Sequence, residues 1–490
     1  MDIGWRKIFA SHSKDEKETL QENIRKKLVA AIESGKIRSG TRLPSSRQLA
    51  DFLGIARITV VMAYERLIDD GYIVSRLRSG MYVKDEVSRH LARQEEEQAA
   101  CPENLVNWDK HIKLQVSNLR NISKPRNWQD YKYCFLFGQL DSSLFPTREW
   151  RESMKKTVNL RGLGLWAGDM IDEDDPDLLE QICLQILPRR GIWASEQEII
   201  ITVGAQHALF MALKILVSSS TDFGIEDPSY TDARNMVQLH TSRIKNLKMD
   251  DQGVIPDDDF SQCQVVLLTP GHQCPTTAIM SPQRRMEILE VAQKKDMVII
   301  EDDYDADLFS EGQAGSALKS MDTQGRVIHI GSLSKILAPG LRIGYIVASP
   351  AIIQELRALR RLMLRHPPRN NQKTLSVFIA LGHYRSHLKK MGAQLHERAI
   401  LMDKLLPRYL PSYKIMRSAG ASSFWLQGPA HHDAAKLAHE ARKHDVLIEQ
   451  GDIFFSNPKA GQSCFRMGFS SIPYERIEEG LKILGSLIPA

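Results

Sequence analysis

The sequence predicts a large α/β domain built on a mainly parallel sheet, preceded by a small helix-turn-helix domain that carries a β-hairpin wing. Three observations predict it. Beyond residue 130, short apolar runs of strand character alternate with helical stretches, the pattern of a parallel sheet with crossover helices. Between residues 20 and 84, three short helical patterns are followed by two short strand patterns. The excess positive charge also sits wholly in this first stretch: residues 1–84 hold 16 Lys and Arg against 10 Asp and Glu, and the remainder 49 against 50. A chain of 490 residues exceeds what one core supports, so two or three domains are expected.

Taken in order, Leu20, Ile24, Leu28 and Ile32 recur at helical spacing and stop at Ser34-Gly35, which predicts a first helix. Pro44-Ser45-Ser46-Arg47-Gln48-Leu49-Ala50 opens a second with a serine cap, ending near Gly54. Arg57 to Asp70 forms a third, with Val60, Ala63, Tyr64 and Leu67 on one face. Gly71–Ser75 and Met81–Val83 then form the wing around Arg76-Leu77-Arg78-Ser79-Gly80, closing a domain over 1–84. Residues 85–130, with the charged run RHLARQEEEQAA, form a linker that is helical in part. The large domain spans 131–490, with strands at Glu198–Val203, Val265–Leu268, Met297–Glu301, Arg326–Ile330 and Ile343–Ala348.

Hydrophobic residues at 42% and charged residues at 26% exclude global disorder. No apolar run reaches the roughly 18 residues of a membrane span, and the first residues turn charged before a signal-peptide core forms. A cytoplasmic location follows, with no membrane partner. The six cysteines are scattered without metal-site or redox spacing, so reduced thiols and no bound metal are expected.

The string Gly40-Thr41-Arg42-Leu43-Pro44-Ser45-Ser46-Arg47-Gln48-Leu49-Ala50, with Leu53-Gly54, Arg57, Thr59-Val60, Ala63-Tyr64, Leu67, Gly71-Tyr72 and Ser79-Gly80, resembles the GntR winged-helix domain. The resemblance implies double-stranded operator DNA as a partner, with contacts from Arg47 and Arg57. A guanidinium suits this, since it binds a phosphate or pairs bidentately with guanine. Thr59 would add a phosphate contact, and Gly80 would permit close approach at the wing. Ala56 stands where the family has a serine.

Ser332-Leu333-Ser334-Lys335-Ile336-Leu337-Ala338-Pro339-Gly340-Leu341-Arg342-Ile343-Gly344 carries a coherent chemistry. A lysine condenses with an aldehyde as a Schiff base, while neighbouring hydroxyl and guanidinium groups hold a phosphate. The segment resembles the lysine loop of fold type I aminotransferases, which implies pyridoxal 5′-phosphate as cofactor, Lys335 as its lysine, and Ser332 and Arg342 at its phosphate. Upstream, Met297-Val298-Ile299-Ile300 delivers Glu301-Asp302-Asp303-Tyr304 to a strand end, where ligands of open α/β sheets collect. Asp302 is assigned to the pyridine nitrogen, with Asp303 left as the alternative, and Tyr304 to the phenolic oxygen. In Val203-Gly204-Ala205-Gln206-His207 a strand passes through glycine into a helix whose first N–H groups can bind phosphate, so Ala205 and Gln206 are the expected donors. The resemblance adds Tyr230 as a ring stacked on the pyridine.

Thr269-Pro270-Gly271-His272-Gln273-Cys274-Pro275 resembles a segment of the MocR/GabR subfamily and makes His272 a site candidate. In Cys464-Phe465-Arg466-Met467-Gly468-Phe469, Arg466 stands where the family binds a substrate carboxylate, for which bidentate pairing suits arginine. Three departures stand out: Thr277 where a glycine is common, the acidic run Asp172–Asp177 in place of a glycine-bearing segment, and Trp166 where related chains often have a tyrosine.

A winged helix followed by such a domain is the architecture of MocR/GabR-type regulators. It implies a head-to-tail homodimer whose DNA affinity changes when an amino compound, or the cofactor itself, engages Lys335. The competing expectation is an active aminotransferase with a DNA-binding appendage.

Overall fold

The chain folds around separate hydrophobic cores in two compact units, Met1–Gln115 and Val116–Ala490; the computed structural model describes residues 5–9, 19–76, 79–84, 106–305 and 316–488. In the first unit, a short helix α1 (Trp5–Phe9) precedes α2 (Leu20–Glu33), which buries Ile24, Leu28 and Ile32. Leu20, the first member of the apolar repeat, is 64% exposed because it sits in the first turn, beyond the edge of the core. Helix α3 (Ser46–Leu53) starts at a capping box: Gln48 N donates to Ser45 Oγ at 3.3 Å and Ser45 N to Gln48 Oε1 at 2.9 Å. Such caps contribute about 1 kcal/mol.

Helix α4 (Arg57–Asp69) buries Val60, Ala63, Tyr64 and Leu67, and the Tyr64 hydroxyl donates to the Pro44 carbonyl at 2.8 Å, fixing α4 against the start of α3. Ala56 at its N-cap makes no side-chain bond, so the first turn of α4 lacks the serine cap usual in the family. Strands β1 (Ile73–Arg76) and β2 (Gly80–Val83) pair antiparallel, Ile73 against Val83 and Arg76 against Gly80. Leu77 and Arg78 of the expected wing lie outside the described residues.

The division between the units falls inside the stretch expected to be a linker, of which residues 85–105 lie outside the described ones. Its last part packs on the large unit: Arg120 Nη2 donates to the Asp452 carbonyl at 2.9 Å, and Asn235 Nδ2 to the Arg120 carbonyl at 2.8 Å.

The large unit is organised by a seven-stranded sheet. Its strands are β3 (Ile199–Thr202), β4 (Phe223–Glu226), β5 (Ile244–Leu247), β6 (Val265–Leu268), β7 (Val298–Asp303), β8 (Val327–Ser332) and β9 (Gly344–Val347), in the order β3-β9-β8-β7-β6-β4-β5. All pairings are parallel except the two made by β9, the mixed and mostly parallel sheet of a fold type I domain. Apart from the edge strand β5, the strands are short and almost wholly buried, which suits a sheet covered on both faces. Helix α5 (Gly204–Leu216) follows β3 and α6 (Thr231–Gln238) follows β4. A 27-residue helix, α7 (His383–Tyr409), precedes a second, antiparallel sheet. That sheet contains β10 (Lys414–Met416), β11 (Ser423–Gln427), β12 (Glu449–Gln450) and β13 (Cys464–Gly468) in the order β10-β11-β13-β12. Among the described residues, no helix is long and apolar enough to cross a membrane.

Leu28 is fully buried at the centre of the first unit's core. Leu28→Ala is expected to cost about 2–5 kcal/mol and to lower the first unfolding transition seen by calorimetry. An unmoved transition would contradict this packing.

Candidate functional site

Strand ends deliver the chemistry of the large unit to one place. The carboxyl end of β7 carries Asp302 and Asp303, the end of β8 carries Ser332 and leads into Lys335, and the turn after β3 opens α5. They surround a cavity of about 850 Å³ lined by Lys335, Asp302, Tyr304, Tyr230, Ser332 and Arg342. Ala205, Gln206 and Arg466 also line it.

Three adjacent carboxylates leave β7, and each has a different fate. Glu301 accepts from His329 Nδ1 at 3.0 Å and from the backbone N–H groups of Leu318 and Lys319. Although burial opposes it, these donors hold its carboxyl below the usual range. Asp303 is paired bidentately with Arg190, at 2.7 and 3.1 Å. Gly271 lies against this pair, and a Cβ there would come within 2.8 Å of Asp303 Oδ1, so the glycine lets the loop pass. Asp302 lines the cavity with Oδ1 buried and unpartnered; burial pushes its carboxyl up to about 7, against the pull of Lys335. Of the two carboxylates the sequence left open, Asp302 is thus the one that borders the cavity.

Lys335 is held by its loop. Leu333 N donates to the Ile343 carbonyl at 3.0 Å, and Ser334 Oγ donates to the same carbonyl at 3.1 Å. Lys335 Nζ lies 3.2 Å from Asp305 Oδ1, and over the rings of Phe137 and Tyr304 at 3.9 and 4.2 Å. Burial lowers its pKa even though Asp305 opposes the shift, so the neutral, nucleophilic amine is more populated than in a free lysine. Asp305 is in turn fixed by Ser422, whose N–H and hydroxyl both donate to it. His272 does not line the cavity; its Nε2 lies 3.1 Å from the Ala419 carbonyl and its Nδ1 3.9 Å from Asp305. It therefore stands behind Asp305, and burial lowers its pKa.

At the other end, Arg342 sits at a left-handed residue (φ 54°) and donates to the Val203 carbonyl at 3.2 Å. Gly204 has φ 76°, and a Cβ there would lie 3.1–3.2 Å from the Arg342 guanidinium. The bare glycine thus lets arginine, helix start and cavity meet. Gln206 and Tyr230 both donate to Asp232, at 3.3 and 2.9 Å.

Arg466 on β13 is buried and paired with Glu449 on β12 at 2.7 Å, with Phe137 and Phe454 against its guanidinium at 4.0 and 4.7 Å. Burial opposes its charge, yet Glu449 and its neighbours raise its pKa. Glu449 also lines the cavity. Sequence reasoning missed Glu449, Phe137, Asp305 and Asp232. Only Asp305, one residue past the Glu301–Tyr304 run, carried a signal. The others come from distant segments.

The three departures have local explanations. Thr277 occupies the left-handed region (φ 67°), which explains the glycine common there, and its Oγ1 accepts from Ser418 N at 3.0 Å. Asp174 pairs with Arg357 at 2.8 Å and with Arg360, while Asp175 accepts from Leu178 N at the start of the next helix. Trp166 donates to the Thr157 carbonyl at 3.0 Å.

In the first unit, Arg47 and Arg57 are exposed near the starts of α3 and α4, and Arg57 Nε donates to Ser46 Oγ at 3.2 Å. Thr59 is half-buried. Gly80 opens β2 with φ 114° and lies against the Arg42 side chain.

A helix-turn-helix unit joined to a fold type I α/β domain with a lysine and an aspartate in one cavity defines a class, the regulator built on an aminotransferase scaffold. Residues 20–83 match the family of bacterial regulatory proteins of the gntR family, and residues 174–484 match aminotransferase class I and II. The chain is 36% identical over 464 residues to the HTH-type transcriptional regulator TauR of Rhodobacter capsulatus, covering 94% of this chain and 95% of that one. It is 27% identical over 400 residues to the probable rhizopine catabolism regulatory protein MocR of Rhizobium meliloti, covering 80% and 78%. Among solved structures, the kynurenine aminotransferase of Pyrococcus horikoshii superposes with a TM-score of 0.72 at 23% identity, covering 79% of this chain and 98% of that one, a likeness of fold. The chain belongs to the GntR regulators whose DNA-binding domain is fused to an aminotransferase class I and II domain, with MocR-type regulators as homologues.

The Asp302 carboxyl, at about 7 in the folded chain against roughly 4 unfolded, holds its proton more tightly when folded. Its contribution to stability is therefore full near pH 4 and is lost as pH rises through 7. Without cofactor, Asp302→Asn should match wild type near pH 4 and exceed it above pH 7, on the order of a few kcal/mol. Parallel urea-unfolding profiles across that range would contradict the assignment.

Proposed function

We propose that this regulator binds operator DNA through its first unit, holds pyridoxal 5′-phosphate in the cavity of its second, and changes its DNA affinity when a small amino compound enters there. The observation that carries the reading is the convergence of Lys335 and Asp302 on one cavity that opens at the start of α5 beside Arg342. The residues fit the cofactor. Asp302 keeps a buried carboxylate oxygen without a partner, a lysine of lowered pKa lies in the same cavity, and the glycine that opens α5 lets the Arg342 guanidinium close on the helix start, where a cation beside free backbone N–H groups suits a phosphate.

In this reading Ser332, Arg342 and the backbone N–H groups of Ala205 and Gln206 hold the phosphate, helped by the positive end of the α5 dipole. Asp302 would hold the protonated ring nitrogen. Tyr230, its hydroxyl held by Asp232, would hold the ring by stacking, and Tyr304 would hold the phenolic oxygen. The cofactor, when bound, supplies an aldehyde reactive towards primary amines and an electron-withdrawing ring. Lys335 would hold it through its neutral amine, and Asp305, 3.2 Å from Nζ, would hold or return a proton at that nitrogen. His272 acts through Asp305. Arg466 takes an acid group of the effector once Glu449 yields it, so acidic ligands must displace a buried ion pair. The DNA contacts assigned are Arg47, Arg57, Thr59 and the wing at Gly80. Cytoplasmic location and a head-to-tail homodimer complete the reading.

One observation also favours catalysis: Lys335, Asp302 and Arg466 line one cavity, the set transamination needs. The two readings separate in one experiment, with operator affinity measured by titration at fixed salt and turnover followed with amino donors and a keto acid. Lys335→Ala should keep wild-type operator affinity and lose the shift caused by an amino compound, because cofactor and DNA are held by different units. An equal shift in both proteins, with rapid wild-type turnover, would favour the enzyme. In the same titration Arg57→Ala should weaken operator binding by about 1–3 kcal/mol; unchanged affinity would remove Arg57 from the interface.

A further inference from the structure

A helix that buries one face offers the other to whatever the domain binds. On α4 the buried residues are Val60, Ala63, Tyr64 and Leu67, and successive residues advance by about 100° around the axis. Ile58, Glu65 and Asp69 therefore point away from the core, with Met62 and Val61 to either side and Arg57 at the edge of this face. Ile58 is 63% exposed and Met62 42%. A single exposed apolar residue needs no explanation. Here two large ones stand a turn apart on the same outward face, beside Arg57 and within a unit whose Arg47 is also exposed.

The net positive charge of residues 1–84, 16 Lys and Arg against 10 Asp and Glu, with Arg47 and Arg57 exposed at the helix starts, selects a polyanion, and the apolar pair on α4 selects among the features of one. A phosphate backbone offers nothing to isoleucine or methionine, and Glu65 on the same face is repelled by it. The base edges of the major groove do offer something apolar: the 5-methyl group of thymine. A recognition helix places its first turns against those edges. Ile58 and Met62 lie about 6 Å apart along the axis, a distance of one to two base steps of about 3.4 Å.

We propose that Ile58 and Met62 read thymine methyl groups in the major groove, so that the operator of this regulator carries thymines one or two steps apart under the start of α4. The proposal rests on the DNA-binding reading of the first unit. Ile58, branched and stiff, fixes one thymine sharply. Met62, unbranched and adaptable, tolerates more variation at the other.

The test uses the full chain. An operator is selected from a random double-stranded pool, and each of its thymines is then replaced by deoxyuridine, which removes only the methyl group. Wild type should lose about fourfold in affinity at each contacted thymine, the worth of one buried methyl group, and the Ile58→Ala, Met62→Ala double variant should bind both forms alike. Since both positions are exposed, the variant should unfold at the wild-type midpoint, and Ile58→Thr, which keeps the branching, gives a second control. Tight wild-type binding insensitive to every deoxyuridine overturns the proposal alone, as does undiminished sensitivity in the double variant. Failure to enrich any sequence overturns the DNA-binding reading and the proposal with it. If the face instead seats a second copy of the chain, the double variant changes oligomeric state while thymine and uracil operators bind alike, which also overturns it.

Discussion

The site depends on how three consecutive carboxylates at the end of β7 are shared out. Charges this deeply buried persist only when paired or hydrogen-bonded. Glu301 is satisfied by His329 and two backbone N–H groups, Asp303 by the fork of Arg190, and Asp302 alone keeps an oxygen without a partner. Because the strand alternates its side chains and its neighbours absorb Glu301 and Asp303, the remaining charge requirement is turned towards the cavity. A carboxylate left so is costly in the empty protein, as its upward shift to about 7 records. That cost is relieved by protonation at low pH or by a cationic partner.

The same economy governs the rest of the cavity. Lys335 is buried beside two aromatic rings and one carboxylate, which leaves its amine easily deprotonated yet fixed in place. Arg466 is buried more deeply than Lys335, but Glu449 already neutralises it. The cavity therefore presents a reactive amine at one end of its chemistry and a closed ion pair at another. In the proposed reading, such a pair would favour ligands able to compete with Glu449 over those that merely fit.

Most of this architecture was legible in the sequence, for reasons that differ by element. The helices of the first unit follow apolar spacing and caps, and Ser45, Gly54 and the α4 face lie where those signals place them. The strand at Val265–Leu268 stood out as an apolar run, and the run Arg326–Ile330 marked the strand found at Val327–Ser332. By contrast, Phe223–Glu226 and Ile244–Leu247 were missed, since four-residue strands broken by Gly224 or by Lys245 and Asn246 carry no clear period. The motif around Lys335 located the site, but not Glu449, Asp232 or Phe137, whose parts in it exist only through tertiary packing. His272 could be located by its motif, whereas its place behind Asp305 depends on the loop carrying Ala419.

The division of labour among the β7 carboxylates is tested most directly by comparing retention of pyridoxal 5′-phosphate, read by visible absorbance after dialysis, in Asp302→Asn and Asp303→Asn. The expected result is that Asp302→Asn folds and loses the cofactor, while Asp303→Asn, which strands the Arg190 guanidinium, lowers thermal stability but leaves its folded fraction able to retain it. Retention by Asp302→Asn together with loss from well-folded Asp303→Asn would contradict the assignment of the cavity to Asp302.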